Sequence, residues 1–239
     1  MDKTVLVLGS SGGIGYEVCS KLLQSGHTVI AQFHTNEEIV NSLKRYARQS
    51  DQIIPLRVNL NDEKDVDRAI SNLIQPDAVV QAGGHHDEGL FEEISDEKME
   101  KLWNVHFYQP ARILRSVIPG MRQREGASIV FVSSVWGETG ASYEVMYSAV
   151  KGAQISFVKA LGKELAPNRI RVNAVSPGAV ETQMTAHYSP EVKRAIEDEI
   201  PAGRFGHPYE IADAVIFLLS EQSSYINGHV LSVNGGWYN

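Results

Sequence analysis

The stretch Thr4-Val5-Leu6-Val7-Leu8-Gly9-Ser10-Ser11-Gly12-Gly13-Ile14-Gly15 decides how the rest of the chain folds. Val5 to Leu8 is a continuous apolar run of strand length, the pattern of a strand covered on both faces. Glycines follow at once, and Val18, Leu22 and Leu23 then recur at helical spacing until Ser25-Gly26. Strand, glycine turn and helix in that order make a phosphate site. The glycines let the backbone approach a ligand, and the helix N-terminus offers free N–H groups and the positive end of its dipole. The spacing is Gly9-x-x-x-Gly13-x-Gly15, not Gly-x-Gly-x-x-Gly. Its place after the first strand of a doubly wound pattern gives it weight as a dinucleotide site.

Outward from that turn the pattern alternates. Strands are expected at 28–31, 53–58, 78–80, 129–132, 170–175 and 229–233, and helices at 37–48, 62–73, 96–116, 147–165 and 210–219. Apolar, non-alternating strands separated by helices predict a parallel sheet covered on both faces: an α/β, single-domain, doubly wound, Rossmann-like fold. No linker, repeat or low-complexity segment interrupts it, so 1–239 reads as one domain for both cofactor binding and catalysis.

Composition narrows the function. Hydrophobic content of 43% and charged content of 21% describe a soluble globular chain. A formal net charge of −7 argues against a nucleic-acid binder. Cys19 is the only cysteine, which rules out an intrachain disulfide and a cysteine-based zinc site. Met1-Asp2-Lys3 leads straight into the first strand without the layout of a secretory signal, so the cytoplasm is expected. The apolar runs are far too short to span a bilayer.

A second constellation carries chemistry. Tyr147 and Lys151 stand four residues apart, on one face of the expected 147–165 helix. A cation beside a phenol favours the phenolate and brings its titration down from ~10. Such a tyrosine can give or take a proton near neutral pH. Ser134, where the 129–132 strand ends, can hold a carbonyl oxygen beside it. With a hydride carrier at the glycine turn, that is equipment for interconverting a ketone and an alcohol.

The chain resembles the short-chain dehydrogenase/reductase family over essentially its whole length. The resemblance rests on Gly9-x-x-x-Gly13-Ile14-Gly15, Asn59-Leu60, Ala82-Gly83, Asn104, Ser134, Tyr147-x-x-x-Lys151, and Asn173-x-x-x-Pro177-Gly178 leading to Thr182. Within the family it is most similar to the 3-oxoacyl-[acyl-carrier-protein] reductases. That likeness rests on Arg171 through Thr182, on Ile200-Pro201-Ala202-Gly203-Arg204-Phe205-Gly206 and on Val233-Asn234-Gly235-Gly236. The resemblance implies NADPH-dependent reduction of a 3-oxoacyl chain on acyl carrier protein, in fatty-acid synthesis, by a homotetramer. It implies Tyr147 as proton donor or acceptor, Lys151 as the group that lowers its pKa and holds the nicotinamide ribose, and Ser134 as the residue orienting the carbonyl. Asn104 would hold a water linking Lys151 to solvent. The cofactor would lie along Gly9, Ser10, Ser11, Gly12, Gly13, Ile14, His34, Asn59, Leu60, Ala82, Gly83, Tyr147, Lys151, Pro177, Gly178, Val180 and Thr182. Two positions depart from the family: Leu8 replaces its usual Thr, and Gln81 stands where it has Asn, with an amide on a longer side chain.

The remaining candidates weigh differently. His85-His86-Asp87-Glu88 reads as a solvated loop at the nicotinamide end, with no metal, because adjacent loop residues seldom converge on one ion. Trp103, Phe107 and Tyr108 fit core or subunit packing. Residues 185–198 suit a lid or a plain surface helix. Against the family, Phe33 occupies the position where NAD enzymes carry Asp or Glu. His34, Thr35 and Asn36 can donate to a 2′-phosphate, so NADP(H) is expected over NAD(H). Arg122, Arg124 and Arg169 fall near the family's carrier-docking regions. Reduction of another small carbonyl, and a non-catalytic nucleotide sensor, are the competing readings; the full Ser134–Tyr147–Lys151 set argues against the sensor.

Overall fold

The structure, a computed structural model, describes residues 2–238. In chain order the elements are β1 (Thr4–Leu8), α1 (Gly13–Gln24), β2 (Thr28–Phe33), α2 (Glu37–Ser42), β3 (Ile53–Arg57), α3 (Glu63–Asn72), β4 (Ala78–Gln81), α4 (Asp96–Trp103), α5 (Gln109–Met121), β5 (Ser128–Val132), α6 (Trp136–Thr139), α7 (Val145–Leu165), β6 (Arg171–Pro177), α8 (Pro190–Glu199), α9 (Pro208–Leu219) and β7 (Val230–Val233). The strands form one sheet in the order β3-β2-β1-β4-β5-β6-β7 with every pairing parallel. Strand order reverses between β1 and β4, the crevice where open α/β sheets bind their ligands.

Successive strand side chains point to opposite faces, so each apolar strand feeds two cores. Val5 and Val7 pack with α1 and α9, through Val18, Leu22, Ile211 and Val215. Leu6 and Leu8 pack with α3, α5 and α7, through Val66, Ile113, Val117 and Val158. β3 lies at the sheet edge, which is where its Pro55 is tolerated. No helix among the described residues is long and apolar enough to cross a membrane.

Three departures from the expected elements have local causes. β2 continues past Ala31 through Gln32 to Phe33, because the buried Gln32 amide finds partners on both neighbouring strands' ends. The helix expected at 37–48 stops at Ser42 and tightens into a 3₁₀ turn, Leu43–Tyr46, which brings Tyr46 edge-on to Tyr16. The helix expected at 96–116 is two helices joined by a wide π turn, Asn104–Tyr108. Pro110 explains it: proline has no N–H to give the carbonyl four residues back, that of His106.

Candidate active site

The glycine turn closes against the end of β4. Gly9 has φ +83°, and a Cβ there would lie 2.3 Å from the Cα of Gly83, so only glycine lets the two chain segments meet. Gln32 staples the turn in place: its Oε1 accepts from the Gly9 N–H (2.8 Å) and its Nε2 donates to the Val58 carbonyl (2.8 Å). Ser10, expected to meet the cofactor, is instead buried, and its hydroxyl donates to the Gln32 carbonyl at 2.7 Å. Its side chain is spent on holding the turn. Unlike α3, α4 and α8, which are capped by Asp62, Ser95 and Ser189, α1 has no side-chain cap and no acid in its first turn. Its N–H groups and positive dipole end are free to meet an anion. These residues fit a dinucleotide's pyrophosphate.

A cleft of about 980 Å³ runs from this turn across the C-terminal ends of the strands. Its walls include Gly9, Ser11, Gly12, Gly13, Ile14, His34, Asn59, Leu60, Ala82, Gly83, Ser134, Tyr147, Lys151, Pro177, Gly178, Val180 and Thr182. Ser10 and Asn104 are not in its walls. The Asn104 amide donates to Asn61 Oδ1 (3.3 Å), and the Asn104 carbonyl accepts the Gln109 N–H in the π turn.

Tyr147 lies in the first turn of α7, with Ser134 on the strand end opposite. Lys151 is 4% exposed, and its Nζ donates to the Val132 carbonyl (2.8 Å), 5.5 Å from the Tyr147 ring centre. The Ser133 hydroxyl donates to the Lys151 carbonyl (3.0 Å), so Ser133 ties β5 to α7 as a structural residue. Electrostatics differ from the sequence expectation. Burial pushes the Tyr147 phenol well above its ordinary value; Glu144 adds to the rise and the Ser134 hydroxyl offsets part of it. Burial pushes Lys151 down to about 7. Low polarity disfavours both charged forms. The cleft therefore holds Tyr147 as a protonated phenol, the form that gives a proton.

Behind the pair, the amides of Gln81 and Gln154 take up what Pro110 leaves. Gln154 Nε2 donates to the His106 carbonyl (2.7 Å), and Gln81 Nε2 reaches the carbonyls of Gly83 (3.1 Å) and His106 (3.2 Å). The longer Gln81 side chain thus braces the β4 end against the π turn. Gln81→Leu takes the donor from the buried Gly83 carbonyl while Gln154 still serves His106, and a loss of about 1–3 kcal/mol is expected in urea unfolding. A Cβ on Gly84 would come within 2.3–3.0 Å of the His106 ring, so this glycine makes room for the histidine.

The His85–Glu88 loop is not the solvated loop expected. His85 is pushed down to about 4 by burial, with Lys101 assisting. His86 pairs with Glu144 (2.7 Å) and Glu88 (3.4 Å). The 185–198 region divides: Thr185 and Tyr188 line the cleft from turns, and α8 follows, with Ile196 also in the wall. Tyr188 donates to Glu88 (3.1 Å), tying those turns to the loop after β4. Trp136, Trp237, Met184 and Ile196 give this end of the cleft an apolar wall, with the two indoles 5.1 Å apart. Trp237 was invisible as a wall residue in the sequence, because it arrives from beyond β7.

Three other placements bear on function. Phe33 is 3% exposed and packed in the α1-side core at the edge of the cleft, and His34, Thr35 and Asn36 after β2 line the cleft beyond it. Arg57, which drew no notice in the sequence, is paired across the sheet with Phe33, and its Nε donates to the His34 carbonyl (3.3 Å). Its signal is register: it is the last residue of β3. Arg124 pairs with Asp77 (3.4 Å) just before β4, and Arg169 precedes β6. Both lie at the opposite end of the strands from this chain's cleft.

A family profile described as Enoyl-(Acyl carrier protein) reductase matches residues 9–238. The chain is 44% identical to an uncharacterized oxidoreductase of Bacillus subtilis, over all of both chains. It is 37% identical to a 3-oxoacyl-[acyl-carrier-protein] reductase of Aquifex aeolicus, over 99% of this chain and 97% of that one. A crystal structure of a 3-oxoacyl-[acyl-carrier protein] reductase from Brucella melitensis superposes with a TM-score of 0.90 at 28% identity, covering 99% of this chain and 92% of that one. Glycine turn, seven-stranded parallel sheet and Tyr147–Lys151 helix agree with full-length relatives: the chain belongs to the short-chain dehydrogenase/reductase family and is a nicotinamide-dependent oxidoreductase of that family.

Proposed function

We propose that this protein reduces a ketone to a secondary alcohol with NADPH, and that the ketone is the 3-oxo group of an acyl thioester carried on acyl carrier protein. The observation carrying this reading is Tyr147, Ser134 and Lys151 together in one cleft with an uncapped helix N-terminus. The cofactor, when bound, supplies the hydride. Ser134 holds the carbonyl oxygen, Tyr147 gives it a proton, and Lys151 orients the ribose and restores the phenol's hydrogen bonding. Asn104 is not among the cleft walls, and one of its amide N–H groups donates to Asn61, which weighs against a direct role in this set. The Trp136–Trp237 wall suits an acyl chain, and relatives named as 3-oxoacyl-[acyl-carrier-protein] reductases support the substrate class. Exposed Trp103 and Tyr108, 40% and 45% accessible, support assembly into a homotetramer.

The test is turnover of acetoacetyl and longer 3-oxoacyl thioesters with each reduced cofactor, followed as loss of nicotinamide absorbance. Turnover confined to other ketones moves the substrate class. No turnover of any ketone rejects the reading.

The NADPH preference rests on the end of β2. No carboxylate faces the ribose there; His34, Thr35 and Asn36 line the cleft, and Arg57 is anchored beside them with guanidinium N–H groups to spare. Arg57→Leu should weaken 2′,5′-ADP binding by about tenfold while sparing 5′-ADP, measured by calorimetry. Phe33→Asp, the change that sequence alignment suggests, would bury a carboxylate in the core and cost stability. His34→Asp is the variant that should repel the phosphate and move preference toward NADH.

A further inference from the structure

The loop after β4 carries an imidazole to the edge of the proton donor. His86 and Tyr147 meet ring edge to face, centroids 5.4 Å apart and planes 84° apart. His86 Nε2 lies 2.7 Å from Oε2 of Glu144, and its Nδ1 lies 3.4 Å from Oε1 of Glu88. The side chains of His86 and Glu144 are only 15% and 12% exposed. Glu144 is the N-cap residue of α7, three positions before Tyr147. A poorly hydrated carboxylate therefore sits one helical turn from the phenol, and His86 is the group placed to balance it.

The other groups facing His86 are accounted for. On its own loop, Asp87 is held by Lys98 (2.9 Å), and Glu88 accepts from Tyr188 (3.1 Å) with His187 Nε2 3.8 Å from the same oxygen. His85 is held neutral by burial, and so is His106 from the π turn. His86 differs from both: burial opposes its charge, but contact with Glu144 and the charges of Glu144, Glu88 and Asp87 outweigh that and raise its basicity. Atoms of His86, Glu88 and Glu144 come within 4.8 Å of one another, an arrangement that would suit a cation. The imidazole lies within ion-pair distance of both carboxylates, so the ring itself takes that place, and the buried Glu144 Oε2 has no other hydrogen-bond partner.

We propose that His86 and Glu144 form a charge-balanced positioning pair that sets how tightly Tyr147 holds its proton, and so how readily the enzyme runs in each direction. The proposal rests on the reading of Tyr147 as proton donor. A lone negative charge beside a phenol disfavours the phenolate, and a paired imidazolium relieves that effect. His86 and Glu144 both line the cleft, and the pair acts on the reaction through Tyr147.

Opposite signs make the test. Oxidation of an alcohol needs the phenolate, whose population at fixed pH changes about tenfold for each unit of pKa. Glu144→Gln removes the negative charge and keeps the shape; oxidation of a 3-hydroxybutyryl thioester at pH 6, where an imidazole of raised basicity carries its proton, should rise by about three- to tenfold. His86→Asn leaves Glu144 unbalanced, and the same rate should fall by about three- to tenfold. The double variant should return close to wild type. If both single variants lose activity alike, the pair is merely structural and the proposal is overturned. A second measurement needs no substrate. In protein labelled with ¹³C-histidine, the His86 signal, assigned by its loss in His86→Asn, should titrate at lower pH in Glu144→Gln. An unchanged midpoint breaks the pair. If the wild type oxidises no 3-hydroxyacyl thioester, the substrate reading alone fails, and the NMR titration decides the pair.

Discussion

Tyr147→Phe is expected to fold, to bind cofactor as the wild type does, and to lose ~10²–10⁴ of its turnover. The reason is local. The ring packs against His86 and His106, with centroids at 5.4 and 5.5 Å, and phenylalanine keeps those contacts. What it removes is one oxygen, that of the phenol placed beside Ser134. The alkoxide formed by hydride addition then has to draw its proton from water. Steady-state kinetics alongside cofactor fluorescence titration separate the two effects. Near-normal kcat in the phenylalanine variant would show that the proton comes from elsewhere.

Lys151→Met is expected to lower turnover by ~10²–10³ and also to weaken cofactor binding, because one ammonium serves both. Its effect on stability carries a distinct sign. Burial brings Lys151 down to about 7 in the folded chain, whereas an unfolded lysine stays protonated to ~10.4. Between those values the unfolded state binds more protons, so wild-type stability rises with pH across that window. Below about pH 7 the cost of burying the charge is fully present; by about pH 10 it is gone. Methionine has no proton to lose. The variant should therefore gain on the wild type at pH 6 and lose that advantage by pH 10, read from melting temperatures at the two pH values. Parallel pH dependence in the two proteins would mean that Lys151 is far better solvated than its 4% exposure indicates.

Much of the fold was legible in one dimension. Val5–Leu8, followed by glycines and a helical repeat, implies a buried parallel strand whatever follows, because apolar periodicity and turn chemistry act within a few residues. The Tyr147–Lys151 spacing was legible for the same reason: four residues on one helix are neighbours before any tertiary contact forms. The family resemblance added the order of the cleft residues along the chain.

Everything that depends on what lies opposite had to wait for the tertiary structure. Pro110 stood in plain view, yet the π turn it forces matters only because Gln81 and Gln154 approach the freed His106 carbonyl from two other elements. Ser10 sits among cofactor-facing residues in sequence, yet its hydroxyl turns onto the Gln32 carbonyl, and Phe33 is packed mostly into the core at the edge of the cleft. Arg57 reaches the end of β2 only through the pairing of β2 with β3. The direction of the Tyr147 shift changed for the same reason. Proximity along a helix suggested a lysine that lowers its tyrosine; desolvation in the cleft wall raises the phenol and lowers the amine. His86 and Glu144 are 58 residues apart and meet because β4 and α7 deliver their loops to the same end of the sheet. Local sequence determined which elements form and which of their faces are apolar, since those follow from backbone preference and short-range periodicity. Only the packed sheet decided which polar groups face each other and how much water they keep, and desolvation and Coulomb interaction depend on those distances rather than on position in the chain.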